Sequence, residues 1–321
     1  MDYELLNKTF DRFDSSYERE KIINTAKYDR KTYIGVKEHP QLCRFCNKES
    51  PNVNFKTDAH LIPRFLGSKY LLSYFECDEC NSQFKLFEND LANFIGPIRS
   101  IVGITGKSKN PKYSKKELII RQGEDDVVKV ISPEIVEDIK KGDRQISIPA
   151  IKDNYVPSNA YKALLKIALC LIKDNETPNF EEAFRFLKYG NNQIHQRIKN
   201  SMNIIRVFVP GPPIANTPVV SLFKRKNIEI KLPEKILVMH VKNLTYQVAL
   251  PLNKNDYHLA DITMDIPMYP IIRSKRAIEE YGDLQFKAIN LSSDITVKSE
   301  DSSIGIKISH MKKNTFANKR S

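Results

Sequence analysis

Residues 43–91 read CRFCNKESPNVNFKTDAHLIPRFLGSKYLLSYFECDECNSQFKLFENDL, and this stretch decides the fold. It opens with Cys43-x-x-Cys46 and comes back to the same spacing at Cys77-x-x-Cys80. Two such pairs present four thiolates in a tetrahedron, which is how structural zinc is held. A site of this kind is closed and carries a net charge of about −2, so it does not catalyse. It clamps two chain segments that a region this small cannot hold by burial alone. In a reducing compartment the pairs point to metal rather than to disulfides. The fifth cysteine, Cys170, stands alone in an apolar helical pattern and reads as a small buried hydrophobe.

Between the pairs, the pattern predicts a strand over Val53–Asp58, running into Ala59-His60-Leu61-Ile62-Pro63, and a second over Tyr70–Phe75. The loop joining them contains Gly67. After Cys80 the period becomes helical: Phe84, Phe87, Leu91 and Phe94 line one face, and Asn81, Lys85 and Glu88 share another. Strand, loop, strand and helix with a cysteine pair at each entrance is a ββα-metal arrangement.

These residues resemble the HNH endonuclease family in its four-cysteine, bacterial form. The likeness is carried by Cys43-x-x-Cys46, by Ala59-His60-Leu61-Ile62-Pro63 with Leu66-Gly67, and by Cys77-x-x-Cys80-Asn81 with the helix bearing Phe84 and Glu88. It covers roughly residues 41–96, with a weaker continuation through GPIRSIVGITGKSKNPKY. The resemblance implies that His60 is the general base that activates water and that Asn81 helps bind one divalent metal, Mg2+ or Mn2+. It implies phosphodiester hydrolysis, in which an imidazole takes a proton from the attacking water while a cation neutralises the phosphate and stabilises the leaving oxygen.

In one place the chain departs from the pattern. Many family members carry an acid or histidine directly before the catalytic histidine, where this chain has Ala59. Alternation along a strand puts Asp58 on the side of His60, which makes Asp58 a candidate ligand; Glu88, two helical turns past Asn81, is another. The departure also leaves room for an inactive nuclease. Asn81 has a further reading as a helix cap. His39, His195, His240, His258 and His310 lack ligand-like spacing.

Outside this module, residues 1–40 read as a helical extension, with Phe10, Phe13 and Tyr17 on one face. Residues 41–100 form the nuclease module and residues 101–150 a basic connecting segment with short strands at Leu118–Arg121 and Val127–Ile131. Residues 151–321 form an α+β accessory domain. In it, a helix starts at Ser158, a second near Thr177-Pro178 and a short third at Ile194–Ile198. Strands follow at Ile204–Val209, Val219–Phe223, Ile228–Leu232, Ile236–Val241 and Tyr246–Leu250. Helices followed by sequential strands imply an antiparallel sheet. The fold class is therefore α+β: a zinc-stabilised ββα-metal module followed by an α+β domain.

Lysine and arginine exceed aspartate and glutamate by 12, a balance that suits polyanions. The excess is dense between Arg99 and Arg121, where Arg99, Lys107, Lys109, Lys112, Lys115 and Lys116 make a candidate phosphate-binding stripe. The expected partner is nucleic acid, double-stranded DNA first, with RNA open because such a centre reads phosphate geometry. No run approaches a membrane span and the N-terminus lacks a signal-type apolar region, so a cytoplasmic setting is expected. The role of residues beyond 150 stays open among DNA binding, pairing of two copies of the chain and sensing. The resemblance implies restriction, phage defence or mobile elements without choosing among them. The competing readings are a non-catalytic zinc-ribbon nucleic-acid binder and a zinc-stabilised protein scaffold.

Overall fold

The computed structural model describes residues 3–106, 111–115, 118–122, 128–131, 145–190, 202–259 and 264–307. A six-stranded, wholly antiparallel sheet dominates it, in the order β1-β9-β10-β11-β8-β12. Its strands are β1 (Tyr17–Asn24), β8 (Asn203–Phe208), β9 (Ala215–Arg225), β10 (Lys235–Lys242), β11 (Leu244–Ala249) and β12 (Gln285–Asn290). The central strands are covered on both faces, and their alternation divides two cores. Leu237, Met239 and Val241 of β10 belong to the larger core, whereas Ile236 and Val238 pack with Phe13, Tyr17 and Phe223 on the opposite side.

The larger core is built around α4 (Pro157–Leu171), of which all but Asn159 is buried. It packs against α2 (Asp78–Ile95), the helix that carries the second cysteine pair. Their shared core runs without a break from Cys43 and Phe45 through Leu164 and Leu165 to Tyr246. The mixture of helices and antiparallel sheets is the α+β class read from the sequence.

Several local expectations are corrected. Residues 1–40 are helical in α1 (Tyr3–Ser16) and in a 3-10 turn at Thr25–Lys27; Tyr17–Asn24 instead forms β1, an edge strand paired with β9. Cross-strand pairing here outweighs the helical pattern. Thr32–Ile34 is a further short strand, β2, parallel to β3 (Leu71–Ser73). Ile228–Leu232 is not a strand: Asn227 Oδ1 accepts from Glu229 N at 3.0 Å and Asn227 O from Ile230 N at 3.2 Å. That is the local turn chemistry of asparagine.

The basic segment holds a three-stranded sheet, β4 (Lys112–Lys115), β5 (Leu118–Gln122) and β6 (Val128–Ile131). The second helix expected near Thr177 begins as a 3-10 turn (Asp174–Phe180) and continues as α5 (Glu181–Tyr189). The third, at Ile194–Ile198, lies outside the described residues. So do Lys107, Lys109 and Lys116. Late in the chain, β13 (Asp301–Lys307) pairs with β7 (Gln145–Ile151). No helix among the described residues is long and apolar enough to cross a membrane.

Candidate active site and cysteine cluster

The first cysteine pair sits in a tight turn, closed by Cys43 N donating to Lys48 O at 2.9 Å and Asn47 N to Cys43 O at 2.9 Å. The second pair straddles the start of α2: Cys77 is its N-cap residue and Cys80 lies in its first turn. Sulfur–sulfur distances are 3.8 Å for Cys43–Cys80 and 3.8 Å for Cys46–Cys77, with all four Sγ atoms within 4.8 Å of one another. A zinc ion with Zn–S bonds of about 2.3 Å has tetrahedral edges of about 3.8 Å, so the set fits zinc. The Cys77 amide donates to Cys43 Sγ at 3.4 Å, and the helix N-terminus favours the negative charge of the thiolates. Lys188, at the end of α5, lies beside the cluster; against desolvation, the Cys80 sulfur raises its pKa.

Val53–Asp58 is not a strand. Its backbone is taken up by the start of α2 instead: Asp78 accepts from Lys56 N at 3.0 Å, Thr57 N at 2.9 Å and Thr57 Oγ1 at 2.7 Å. In return Asp78 N donates to Asn54 O at 2.8 Å. Against the cost of desolvation, these bonds hold the Asp78 carboxyl below the usual carboxylate range. What remains of the first strand is a bridge from His60 to Leu72, flanked by Ser73 N to Ala59 O at 2.9 Å and Leu61 N to Leu71 O at 3.2 Å. After Pro63 the chain makes a 3-10 turn, Arg64–Leu66, that ends on Gly67 at φ 106°. That conformation favours glycine.

His60 stands at the end of this bridge. Its Nδ1 is buried and has no hydrogen-bond partner. Desolvation, then the positive charges of Arg64 and Lys166, lower its pKa to about 4, so the imidazole is neutral at neutral pH. Ala59, in the position where many relatives carry a ligand, is buried. Asn81 does not cap α2; its Nδ2 donates to Thr57 Oγ1 at 3.0 Å, leaving Oδ1 without a partner among the described residues.

The other sequence-derived ligands do not join it. Asp58 is held by Lys31 at 2.6 Å and by the Tyr33 hydroxyl at 2.8 Å, one on each oxygen; the Lys31 contact chiefly keeps its pKa low. Glu88 lies two turns along α2 from Asn81, about 10 Å at 1.5 Å per residue. Two oxygen ligands of one Mg2+ span only about 4 Å. Glu88 belongs instead to a buried group with Lys166 and Glu76; desolvation raises its pKa while Lys166 and Lys85 oppose the rise. Among the described residues, only the four cysteines form a set of three or more His, Cys, Asp or Glu side chains placed to hold an ion. The structural zinc therefore fits, whereas Asp58, Asn81 and Glu88 do not fit as a shared cradle for a catalytic ion.

The basic stripe is only partly assembled in the described residues. Arg99 stacks over the Phe65 ring at 4.9 Å, with Nε buried and unpartnered. Lys115 is engaged, pairing with Asp153 at 2.9 Å and donating to Lys152 O at 3.2 Å. Lys112 is exposed on β4. Sequence reasoning missed Arg64, Lys31, Glu76 and Lys166. Arg64 lies four residues past His60 and makes no ion pair among the described residues, a nearness that spacing alone could have shown. The others reach the site through long-range contacts.

Residues 43–91 match the family described as HNH endonuclease, so the chain carries an HNH domain in its N-terminal part. No curated protein and no solved structure matches the chain.

Proposed function

We propose, from the HNH endonuclease domain at residues 43–91, that this chain cuts nucleic acid, double-stranded DNA first, by hydrolysing phosphodiester bonds with His60 as general base. The observation that carries the proposal is a neutral imidazole at the His60–Leu72 bridge of the matched segment; its Nδ1 is buried, so Nε2 is the nitrogen proposed to face the water. Such a group can accept a proton from an attacking water. A pKa near 4 makes a weak base on its own, but an arriving phosphate brings negative charge that raises it toward neutrality. Arg64 and Lys31 lie near enough to act on His60 electrostatically and supply positive potential for that phosphate. Asn81 offers its amide oxygen on the far side of Thr57.

The cysteine cluster, filled with zinc, holds the two halves of the module together and takes no part in the chemistry. A divalent ion such as Mg2+ or Mn2+, when bound, neutralises phosphate charge and stabilises the leaving oxygen. Asp58 and Glu88 do not converge with Asn81 to hold it. The setting proposed is the cytoplasm and the role restriction or phage defence.

A second reading has an observation in its favour. Ala59 and the engaged Asp58 suit a zinc-ribbon protein that binds nucleic acid without cutting it. Supercoiled plasmid incubated with the pure protein, with and without Mg2+ or Mn2+, decides between them. Nicked or linear product that is lost in His60→Ala supports the nuclease. Binding without product in every arm supports the ribbon.

A further inference from the structure

Lys166 lies in the middle of α4 with its side chain 1% exposed, opposite Glu76, which is 0% exposed, at 3.0 Å. Taking two charges out of water costs several kcal/mol per ion, and a well-packed apolar pair is often as stable or more so. Most of α4 is apolar packing, and of its two lysines Lys166, at 1% against 8% for Lys162, is the more deeply buried. Burial drives both groups toward neutrality: Glu76 is pushed up to about 7, while the Glu76 charge keeps Lys166 protonated.

What the ammonium touches shows what it does. Beside its ion pair with Glu76 it donates a hydrogen bond to the main-chain carbonyl of His60 at 2.5 Å, and Phe84 of α2 lies under it at 5.9 Å. Glu76 immediately precedes Cys77. One side chain thus ties the backbone of His60 to the segment entering the second cysteine pair. Catalytic and metal-bound histidines are usually aimed by an acceptor on the second ring nitrogen. His60 Nδ1 has none among the described residues, so the ring is placed through its main chain.

We infer that Lys166, paired with Glu76, is a positioning residue that sets the place of the His60 imidazole from outside the HNH domain. This rests on the reading of His60 as the base. It gives the region beyond residue 150 a part in the site: α4 supplies the pin that the 43–91 segment lacks. Arg44 of the first knuckle strengthens the same joint, donating to Ile172 O at 3.2 Å and to Leu169 O and Cys170 O at 3.4 Å, and pairing with Asp174.

The test uses the full chain carrying Glu76→Gln with Lys166→Met, which removes both charges and the donor to His60 while roughly keeping volume. Leu237→Ala, in the sheet, serves as a comparator of lowered stability. Well below either melting temperature, the double variant is expected to lose about 10- to 100-fold in kcat with KM for plasmid within about twofold, since small misplacements of a reacting group cost this much. Leu237→Ala is expected to keep kcat. A second readout needs no activity: the His60 ring signal in 13C-histidine NMR, identified by its loss in His60→Ala, shifts in the double variant and stays put in Leu237→Ala. If the double variant does not fold, Glu76→Gln with Lys166→Gln replaces it under the same expectation. A folded double variant with wild-type kcat and an unmoved His60 signal overturns the inference. If the wild type does not cut at all, the proposed function fails, while the ring signal still decides the role of Lys166.

Discussion

Residues 41–76 and the six-stranded sheet share one apolar core, yet what supports them beyond that core differs. In the sheet, β10 and β11 are covered on both sides, and apolar side chains such as Leu237, Met239, Tyr246 and Val248 are 0% exposed. The segment before Cys77 has little regular structure: a tight turn, two isolated bridges, a 3-10 turn and one three-residue strand. Side chains satisfy several of its backbone groups, Asp78 at Lys56 N and Thr57 N and Lys166 at His60 O, and its ends are joined by four sulfurs. A ladder of strand pairs tolerates the loss of any single contact. A segment held by a clamp and a few polar pins depends on each of them, and in exchange it leaves His60 outside any regular ladder, beyond a single bridge.

The sharpest way to separate the two regions is to remove chemistry without touching either support. His60→Ala should lower kcat by about 10²- to 10⁴-fold while duplex binding, zinc content and melting temperature stay close to wild type. Cutting by this variant at the wild-type rate places the active site elsewhere.

Leu237→Ala does the opposite. The side chain is fully buried in the larger core, so its truncation should cost about 2–5 kcal/mol of global stability, read from denaturant unfolding. Zinc content should not change. If zinc is lost in step with Leu237 truncation, the two supports are one cooperative unit and the contrast fails.

The sheet should also carry its own pH dependence. His240 of β10 is buried beside Thr245 Oγ1 at 2.8 Å, and desolvation lowers its pKa from 6.5 to about 4. Between those values the unfolded chain binds more protons than the folded one, so stability falls as pH drops from about 6.5 toward 4, by up to roughly 3 kcal/mol. His240→Gln should flatten this slope in a urea titration across that window; an unchanged slope removes His240 as its source.

The smallest expected effect is at Lys112, exposed on β4. If it touches a backbone phosphate, Lys112→Ala should reduce the slope of log affinity against log salt by about 0.9, equally for all sequences. No change in slope would leave Lys112 a solvated surface lysine.

The sequence showed one of these regions better than the other in an instructive way. The cysteine spacing and the helix that carries Cys80 were legible because each rests on a short motif whose residues meet locally. The face of Phe84, Phe87, Leu91 and Phe94 is buried as its period required. The strand expected over Val53–Asp58 was not formed, because Asp78 offers that backbone another set of partners. The partners of Asp58, Lys31 and Tyr33, lie more than twenty residues away, and nothing in the alternation near His60 points to them. Lys166 was hidden for a related reason: read locally it is one of two lysines in a mostly apolar helix, and only tertiary packing gives it Glu76 and the His60 carbonyl.

The claim that the HNH segment needs a metal clamp in addition to the core it shares with α4 and the sheet is tested most directly by elemental analysis of the full chain, wild type and Cys43→Ser. The wild type should hold about one zinc per chain. Cys43→Ser should hold none and lose amide-exchange protection through residues 41–96, while the sheet strands keep theirs or the whole chain precipitates. A wild-type protein that is folded and protected across 41–96 yet contains no zinc would contradict the account.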